Sequence, residues 1–592
     1  MFVLATAGHV DHGKSTLVHA LTGQQPDRLA EERRRGLTIE LGYCWTTLTG
    51  AGGAVDLAFV DVPGHERFVP TMLSGVGPVP AVLFVVAADD GWMPQSSEHL
   101  AALDALGVRH GLVVVTRSDL ADPTPALQEA GRQLAGTSLA GATAVAVSAR
   151  TGAGMDRLRE ALVALVHALP APDPHADVRL WVDRAFSMAG AGTVVTATLA
   201  AGRVAVGDRL TLDGGDDVRV RGLQSLERTV RSAEPVARVA LALGGDAPPT
   251  LARGTVLTTP DTFLWSSEVD VLLAAGRHED VGALPAEPVL HIGAASVPVR
   301  VRVLGASSAR LRLDRPLPLR VGDRVLLRDA GSRQVVGADV ADPLPPPLNR
   351  RGAAGRRDAD LRRDGARPDL AAELRRRGSV QLSVLRRAGV PLDGADRLAL
   401  RSGDWLLDRR LAAELSAQLS ELVLEHDRQA PLDPGVPLAA AARSLRLPTP
   451  GLLAELLTDG LRLSEGRVRQ AQAASLPADL ERSVQQLATE LAESPFAAPA
   501  AGRLAELGLH PRAVAAAERA GRLMRVGDVV LLPGADAEAV RRLAELPQPF
   551  TTSQARTALA TSRRVVLPLL GLLDARGRTR RLPDDRREVI PG

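Results

Sequence analysis

The sequence predicts a multidomain protein: an α/β P-loop domain, two β-barrel domains and then tandem winged-helix (α+β) domains. Three observations lead there. The chain has 592 residues, too many for one core. Its first 170 residues alternate apolar strand-like runs with helical periodicity, and the region after them changes to closely spaced short strands. The last 240 residues are rich in Ala, Leu, Arg and Glu at helical spacing. A hydrophobic share of 45% with 24% charged residues excludes a mostly disordered chain.

In the first region, apolar runs at 55–60, 81–87, 111–116 and 143–147 read as strands with helices between them, a doubly wound domain over 1–170. Residues 170–174 (PAPDP) read as a linker. From 178 to 342 there are Val/Leu/Arg strands broken by Gly and Asp, at 193–199, 203–212, 218–223, 297–304 and 309–313. No long helical run interrupts them, and the length suits one barrel over 175–260 and a second over 261–345. Residues 342–349 (DPLPPPLN) form a stiffer linker. The remainder divides by length into four units, at 355–412, 413–475, 476–534 and 535–592. In the last two, three helical stretches precede a strand pair, the winged-helix plan.

Composition narrows the setting. Cys44, alone of its kind, excludes a disulfide framework, fits a reducing compartment and reads as a small buried hydrophobe. The apolar run 2–7 passes directly into Gly8, which leaves no room for a signal peptide, and the longest apolar stretch, 76–88, is too short to span a bilayer. A cytoplasmic monomer with no membrane partner is expected. Of 71 basic residues one is a lysine, Lys14. The formal charge of +2 is unevenly spread: residues 1–170 carry 12 basic and 17 acidic side chains, whereas 551–592 carry nine arginines and four acids. An anionic partner at the tail follows.

Residues 8–15 (GHVDHGKS) satisfy G-x-x-x-x-G-K-[ST] between a strand and a helix. In such a loop the backbone N–H groups from Asp11 to Thr16, with His12 and Gly13, wrap the phosphates at a helix N-terminus. Lys14 meets the β- and γ-phosphates and the Ser15 hydroxyl ligates Mg²⁺. Asp61 in DVPGH ends a strand and is placed to hold the metal through water, and the Gly64 N–H can sense the γ-phosphate. Thr38 is a second hydroxyl ligand. Thr116 opens TRSD after a third strand, where Asp119 can accept from guanine N1 and N2; Ser148 and Ala149 after a fourth complete the base pocket. In this order, each at a strand end, the motifs read as a GTPase with GTP/GDP and Mg²⁺ as cofactors.

These residues resemble the translational GTPases. The resemblance puts His65 where that family positions the attacking water, and Val10 and Ile39 at its apolar gate. Thr116 and Arg117 depart from the usual Asn-Lys-x-Asp, and the missing Asn amide bears on the rigidity of the base loop and hence on nucleotide affinity. Residues 23–43 and 68–77 closely resemble the switch regions of the bacterial selenocysteine-specific elongation factors, as do 182–186 (VDRAF) with 190–195. Residues 562–581 look like the last winged helix of that family. The resemblance implies a selenocysteine pocket formed by Asp183, Arg184 and Arg238. It also implies an mRNA-hairpin contact from Ser562, as cap of the final helix, with Arg563, Arg564, Arg580 and Arg581. Pro568 and Gly571 inside that helix predict a kink or a late start. The implied partners are selenocysteinyl-tRNA, an mRNA hairpin and the ribosome, with delivery at UGA codons. Two alternatives stay open: a general aminoacyl-tRNA-delivering GTPase, and a GTP-switched nucleic-acid-binding regulator.

Overall fold

The computed structural model describes residues 1–26, 38, 40–50, 53–65, 68–77, 79–190, 192–244, 251–273, 284–329, 331, 334–433, 435–471 and 476–590. The chain divides into two compact units, Met1–Arg376 with Gln381–Ala395, and Arg377–Val380 with Asp396–Gly592.

The first unit opens with a six-stranded sheet in the order β2-β3-β1-β4-β5-β6. Its strands are β1 (Phe2–Ala7), β2 (Gly42–Gly50), β3 (Gly53–Asp61), β4 (Ala81–Ala87), β5 (Gly111–Thr116) and β6 (Thr143–Ala146). The strands at 81–87 and 111–116 match the expected bounds. All pairings are parallel except β2 on β3. β4 and β5 are buried along their whole length, as parallel strands covered on both faces must be. Along β1 the faces alternate: Val3, Ala5 and Ala7 enter one core with Met72 and Leu103, while Leu4 enters the other with Leu17 and Leu162. The buried Cys44 belongs to that second core. Helices α1 (Lys14–Thr22), α2 (Val69–Val76), α3 (Pro94–Ala105), α4 (Thr124–Leu134) and α5 (Met155–His167) cover the sheet. The strand order reverses at β1, so the loops after β1, β3, β5 and β6 gather at one edge, the position such sheets use for ligands.

Two barrels follow. In the first, the strands Arg209–Leu212, Val256–Thr258, Arg179–Met188, Gly192–Leu199, Ala237–Gly244 and Asp217–Ser225 pair in ring order and close on the first. The strand Arg179–Met188 carries a bulge between Val182 and Arg184, so Asp183 is the extra residue opposite Gly192–Leu199. The second barrel is a closed six-stranded ring spanning Leu264–Leu273 to Val335–Asp342. Helix α6 (Ala353–Asp364) packs on it through Leu361, against Leu304 and Ala341. Beneath α6 runs a buried ion network. Arg357 donates to Asp270 (2.6 Å) and to Asp342, Arg310 donates to Asp270 (2.7 Å), and Ser308 donates to Asp358 (2.7 Å).

The second unit repeats one plan. Helices Ala478–Glu493, Ala501–Glu506 and Pro511–Arg519 precede the hairpin Met524–Val526/Val529–Leu531. Helices Ala535–Ala544, Thr552–Ala558 and Arg563–Ala575 precede the hairpin Thr579–Arg581/Arg587–Val589. This is the expected winged-helix fold. Val526, Val529 and Leu531 of the earlier hairpin share a core with Val566, Leu569 and Leu573, so these two repeats pack as a pair. The final helix begins at Arg563 and passes through Pro568 as one helix. The expected late start is therefore corrected. Pro568 lies in the first half of the helix, where one missing N–H is lost against five buried apolar anchors.

Arg357 is the cation two buried carboxylates share, so Arg357→Ala is expected to cost about 3–5 kcal/mol in chemical denaturation of the first unit. A loss below about 1 kcal/mol would show that the network does not anchor α6.

Candidate functional site

The phosphate end is built at the turn from β1 into α1. Gly8 has φ +127°, and a Cβ there would lie 2.1 Å from the Val85 carbonyl oxygen, so only glycine fits. Lys14, the first residue of α1, is 6% exposed and donates from Nζ to the carbonyls of His9 (2.6 Å) and Gly8 (3.2 Å). Ser15 Oγ donates to Asp61 Oδ2 (2.6 Å) and lies 3.1 Å from Thr38 Oγ1. Asp61 is fully buried, and its other oxygen accepts from Thr6 Oγ1 (2.7 Å). Two hydroxyls and a carboxylate thus converge, a hard-oxygen set that suits Mg²⁺. Gly64 presses on this group: a Cβ would sit 2.5 Å from Lys14 Nζ and 2.6 Å from Val10 N.

A cleft of about 500 Å³ joins these residues to the base end. Asp11, Gly13, Lys14, Ser15, Thr16, Thr38 and Gly64 line it on one side, and Thr116, Asp119 and Ala149 on the other. Side-chain hydrogen bonds tether the TRSD loop. Thr116 Oγ1 donates to the His12 carbonyl (2.7 Å), tethering β5 to the phosphate loop with a hydroxyl in place of the amide. Arg117 Nη1 bridges Asp89 (3.0 Å) and Asp90 (3.3 Å), while its Nη2 donates to the Asp11 carbonyl. Asp119 is held ionised, its carboxyl lowered by the Ser148 hydrogen bond and then by Arg150.

Three of the expected site residues stand apart from the side chains that line the cleft. The His12 ring does not reach the cleft: it is fully buried with Nδ1 3.3 Å from the Val85 carbonyl, and burial lowers it to about 4, so it is neutral. Its contribution to the cleft is backbone. Ser148 lies behind the cleft, its Oγ accepting from Thr151 N (3.1 Å), and it acts on the base end through Asp119. His65 is not among the cleft-lining residues; its ring tilts against Phe68 at 6.1 Å, held by the Phe68 N–H on its own carbonyl (2.9 Å). Ile39 lies outside the described residues. Two side chains of α3 escaped the motif reading. Gln95 accepts from Val10 N (3.2 Å), and His99 accepts from Gly8 N (3.0 Å), burial lowering it to about 3.

The three barrel residues do come together. The bulge turns Asp183 onto Arg238, which grips both its oxygens, and Arg238 lies 3.8 Å from the centre of the Tyr43 ring. The charge of Arg238 is therefore already met by Asp183. Arg184 is 39% exposed and donates to Glu40 (2.9 Å), two residues beyond Thr38. Arg184 and Arg238 line a pocket of about 280 Å³ with Tyr43, Phe186 and Thr196. Tyr43 is the chain's one tyrosine, a signal the motif reading passed over.

In the tail, Ser562 precedes the final helix without a side-chain cap; its carbonyl accepts from Val565 N (3.1 Å) instead. That expectation is also corrected. Arg564 donates to the carbonyls of Ala498 (2.8 Å) and Pro499 (3.0 Å), Arg580 pairs with Glu588 and Arg581 with Asp585. These arginines are partly committed to the protein, whereas Arg563 is exposed on the first turn.

Comparison with known proteins agrees with this architecture. Residues 1–168 match the Elongation factor Tu GTP binding domain, 286–347 the Selenocysteine-specific elongation factor beta-barrel domain, and 541–587 the Elongation factor SelB winged helix. The selenocysteine-specific elongation factor of Haemophilus influenzae is 30% identical over 490 residues, covering 79% of this chain and 77% of that protein. The one from Desulfomicrobium baculatum is 39% identical over 363 residues, 58% of this chain and 56% of its own length, so the match spans little more than half of that relative. A crystal structure of a bacterial selenocysteine-specific elongation factor, EF-Sec, shares the fold over all of both chains, with a TM-score of 0.75 at 24% identity. The domain order and the nucleotide cleft define a translational GTPase. The chain belongs to the selenocysteine-specific elongation factor family.

With Lys14 enclosed by the Gly8 and His9 carbonyls and by Gly64, a planar guanidinium has no room. Lys14→Arg is expected to abolish GTP hydrolysis in a phosphate-release assay, and near-normal turnover would refute that packing argument.

Proposed function

We propose that the chain is an elongation factor that binds GTP, Mg²⁺ and selenocysteinyl-tRNA and delivers that tRNA to the ribosome at UGA codons. In this reading the C-terminal winged helices hold an mRNA hairpin. Among the described residues no helix is long and apolar enough to cross a membrane. The reading has the protein act as a cytoplasmic monomer.

The division of labour follows from the residues. Lys14 and the backbone of 11–16 hold the triphosphate, and Asp119 with the Ala149 backbone selects guanine. Ser15, Thr38 and Asp61 would hold Mg²⁺, which when bound neutralises charge on the phosphate oxygens. Gly64 is placed to sense the γ-phosphate. His65 then has to leave Phe68 and orient water, a movement that codon recognition on the ribosome triggers.

The observation that carries the proposal is Arg184 at the lip of the barrel pocket. A selenol is more acidic than a thiol and ionised at neutral pH, whereas a serine hydroxyl is neutral. A cationic pocket therefore separates them by charge as well as size. Arg238 keeps Asp183 and Tyr43 in place, and Arg184 supplies the movable charge. Its exposed pair with Glu40 contributes only about 0.2–1 kcal/mol, so an anionic ligand can displace it.

In the tail, Arg563 on the first turn of the last helix offers a phosphate contact where backbone N–H groups also favour anions. Arg564, Arg580 and Arg581 add positive charge around it, and their affinity for the hairpin should fall with salt.

Arg184→Ala is expected to weaken binding of selenocysteinyl-tRNA to the GTP-loaded protein about ten-fold or more, and of seryl-tRNA by less than about two-fold. Equal losses for both tRNAs would sink the assignment.

A further inference from the structure

The base end of the cleft already holds a ligand-like group supplied by the chain itself. Arg150, which follows Ala149, turns back over Asp119 and donates to Oδ2 from Nε (2.9 Å) and Nη2 (2.8 Å). Asp119 is 13% exposed, while Arg150 is 75% exposed, so the arginine approaches from solvent across the mouth of the cleft. Both residues line the cleft, beside the exposed Leu120.

The chemistry of the two donors matters. To a carboxylate acceptor guanine presents its N1–H and N2–H donors, joined through C2, which is a guanidine edge. Arg150 presents Nε–H and Nη2–H joined through Cζ, the same N–C–N arrangement with a full positive charge. Asp119 thus pairs with a mimic of the base it is expected to read, on one of the two oxygens that guanine needs.

We infer that Arg150 is an internal placeholder for guanine: it occupies Asp119 while the cleft is empty and must swing out before a guanine nucleotide can seat. This inference rests on the reading that Asp119 selects guanine. A placeholder acts on the empty protein, so it slows nucleotide entry and leaves departure unchanged. A side chain stacked on the bound base would do the reverse. The Asp119–Arg150 pair is solvent-facing and therefore weakened by salt.

The test is stopped-flow binding of fluorescent GDP and GTP to the full chain and to Arg150→Ala. The exposed position of Arg150 makes loss of folding no concern. The variant should associate about two- to five-fold faster with an unchanged dissociation rate, and its advantage should vanish near 1 M salt, where the screening length is about 3 Å. An unchanged association rate, or faster dissociation, overturns the placeholder. Asp119→Asn, measured alongside with GTP and xanthosine triphosphate, separates the two claims. A shift of preference toward xanthosine triphosphate upholds base reading by Asp119. With that shift present, a null result for Arg150→Ala refutes the placeholder alone; without it, the base-reading assignment itself has failed.

Discussion

One buried carboxylate organises the nucleotide end of this protein. Asp61 has no exposed surface, and a charge in that position persists only if its oxygens are hydrogen-bonded. Thr6 and Ser15 supply those bonds, and Ser15 in turn lies against Thr38. Through these contacts β1, α1, the end of β3 and the residue at position 38 are fixed to one another. The parallel sheet makes the meeting possible, because β1 sits between β3 and β4 at the strand-order reversal. Helix α3 adds a second restraint, with Gln95 and His99 accepting from the loop's own N–H groups.

The same end of the domain reaches the first barrel. Glu40 stands two residues past Thr38 and pairs with Arg184. Arg253 of the barrel donates to Thr71 of α2 (2.9 Å) and to the Asp183 carbonyl (3.2 Å). The stretch of the barrel strand that carries Asp183 and Arg184 is thus tied both to Glu40 and, through Arg253, to α2. The bulge at Asp183 is the feature that makes the barrel pocket, because it brings consecutive acidic and basic side chains to work on neighbouring partners.

How far the sequence reading reached depended on the range of each interaction. The phosphate loop and the strand-end motifs are local patterns, and the residues 8–15, 61–64 and 116–119 stand where those patterns put them. Side-chain direction within a motif was less legible. His12 belongs to the loop, yet its ring is drawn into the sheet by the Val85 carbonyl 73 residues away. Thr116 looked like a weakened motif, and only the His12 carbonyl across the cleft reveals its hydroxyl as a tether. Arg238 was named by resemblance, but its neutralisation by Asp183 arises from pairing across the barrel, which no spacing rule reports. Ser562 had the right residue type for a cap, and rotamer choice decided otherwise. The abundance of arginine hid Arg150: in a chain with one lysine, another arginine beside a motif carries no signal of its own.

These relations make a single claim, that the γ-phosphate state set at Thr38 and Gly64 is felt at Arg184 through Glu40 and α2. The most direct measurement is the equilibrium affinity for selenocysteinyl-tRNA of the protein loaded with a non-hydrolysable GTP analogue and with GDP. The account predicts at least about ten-fold tighter binding in the triphosphate state, within the usual range of coupling between two sites. Equal affinities in the two states would contradict it.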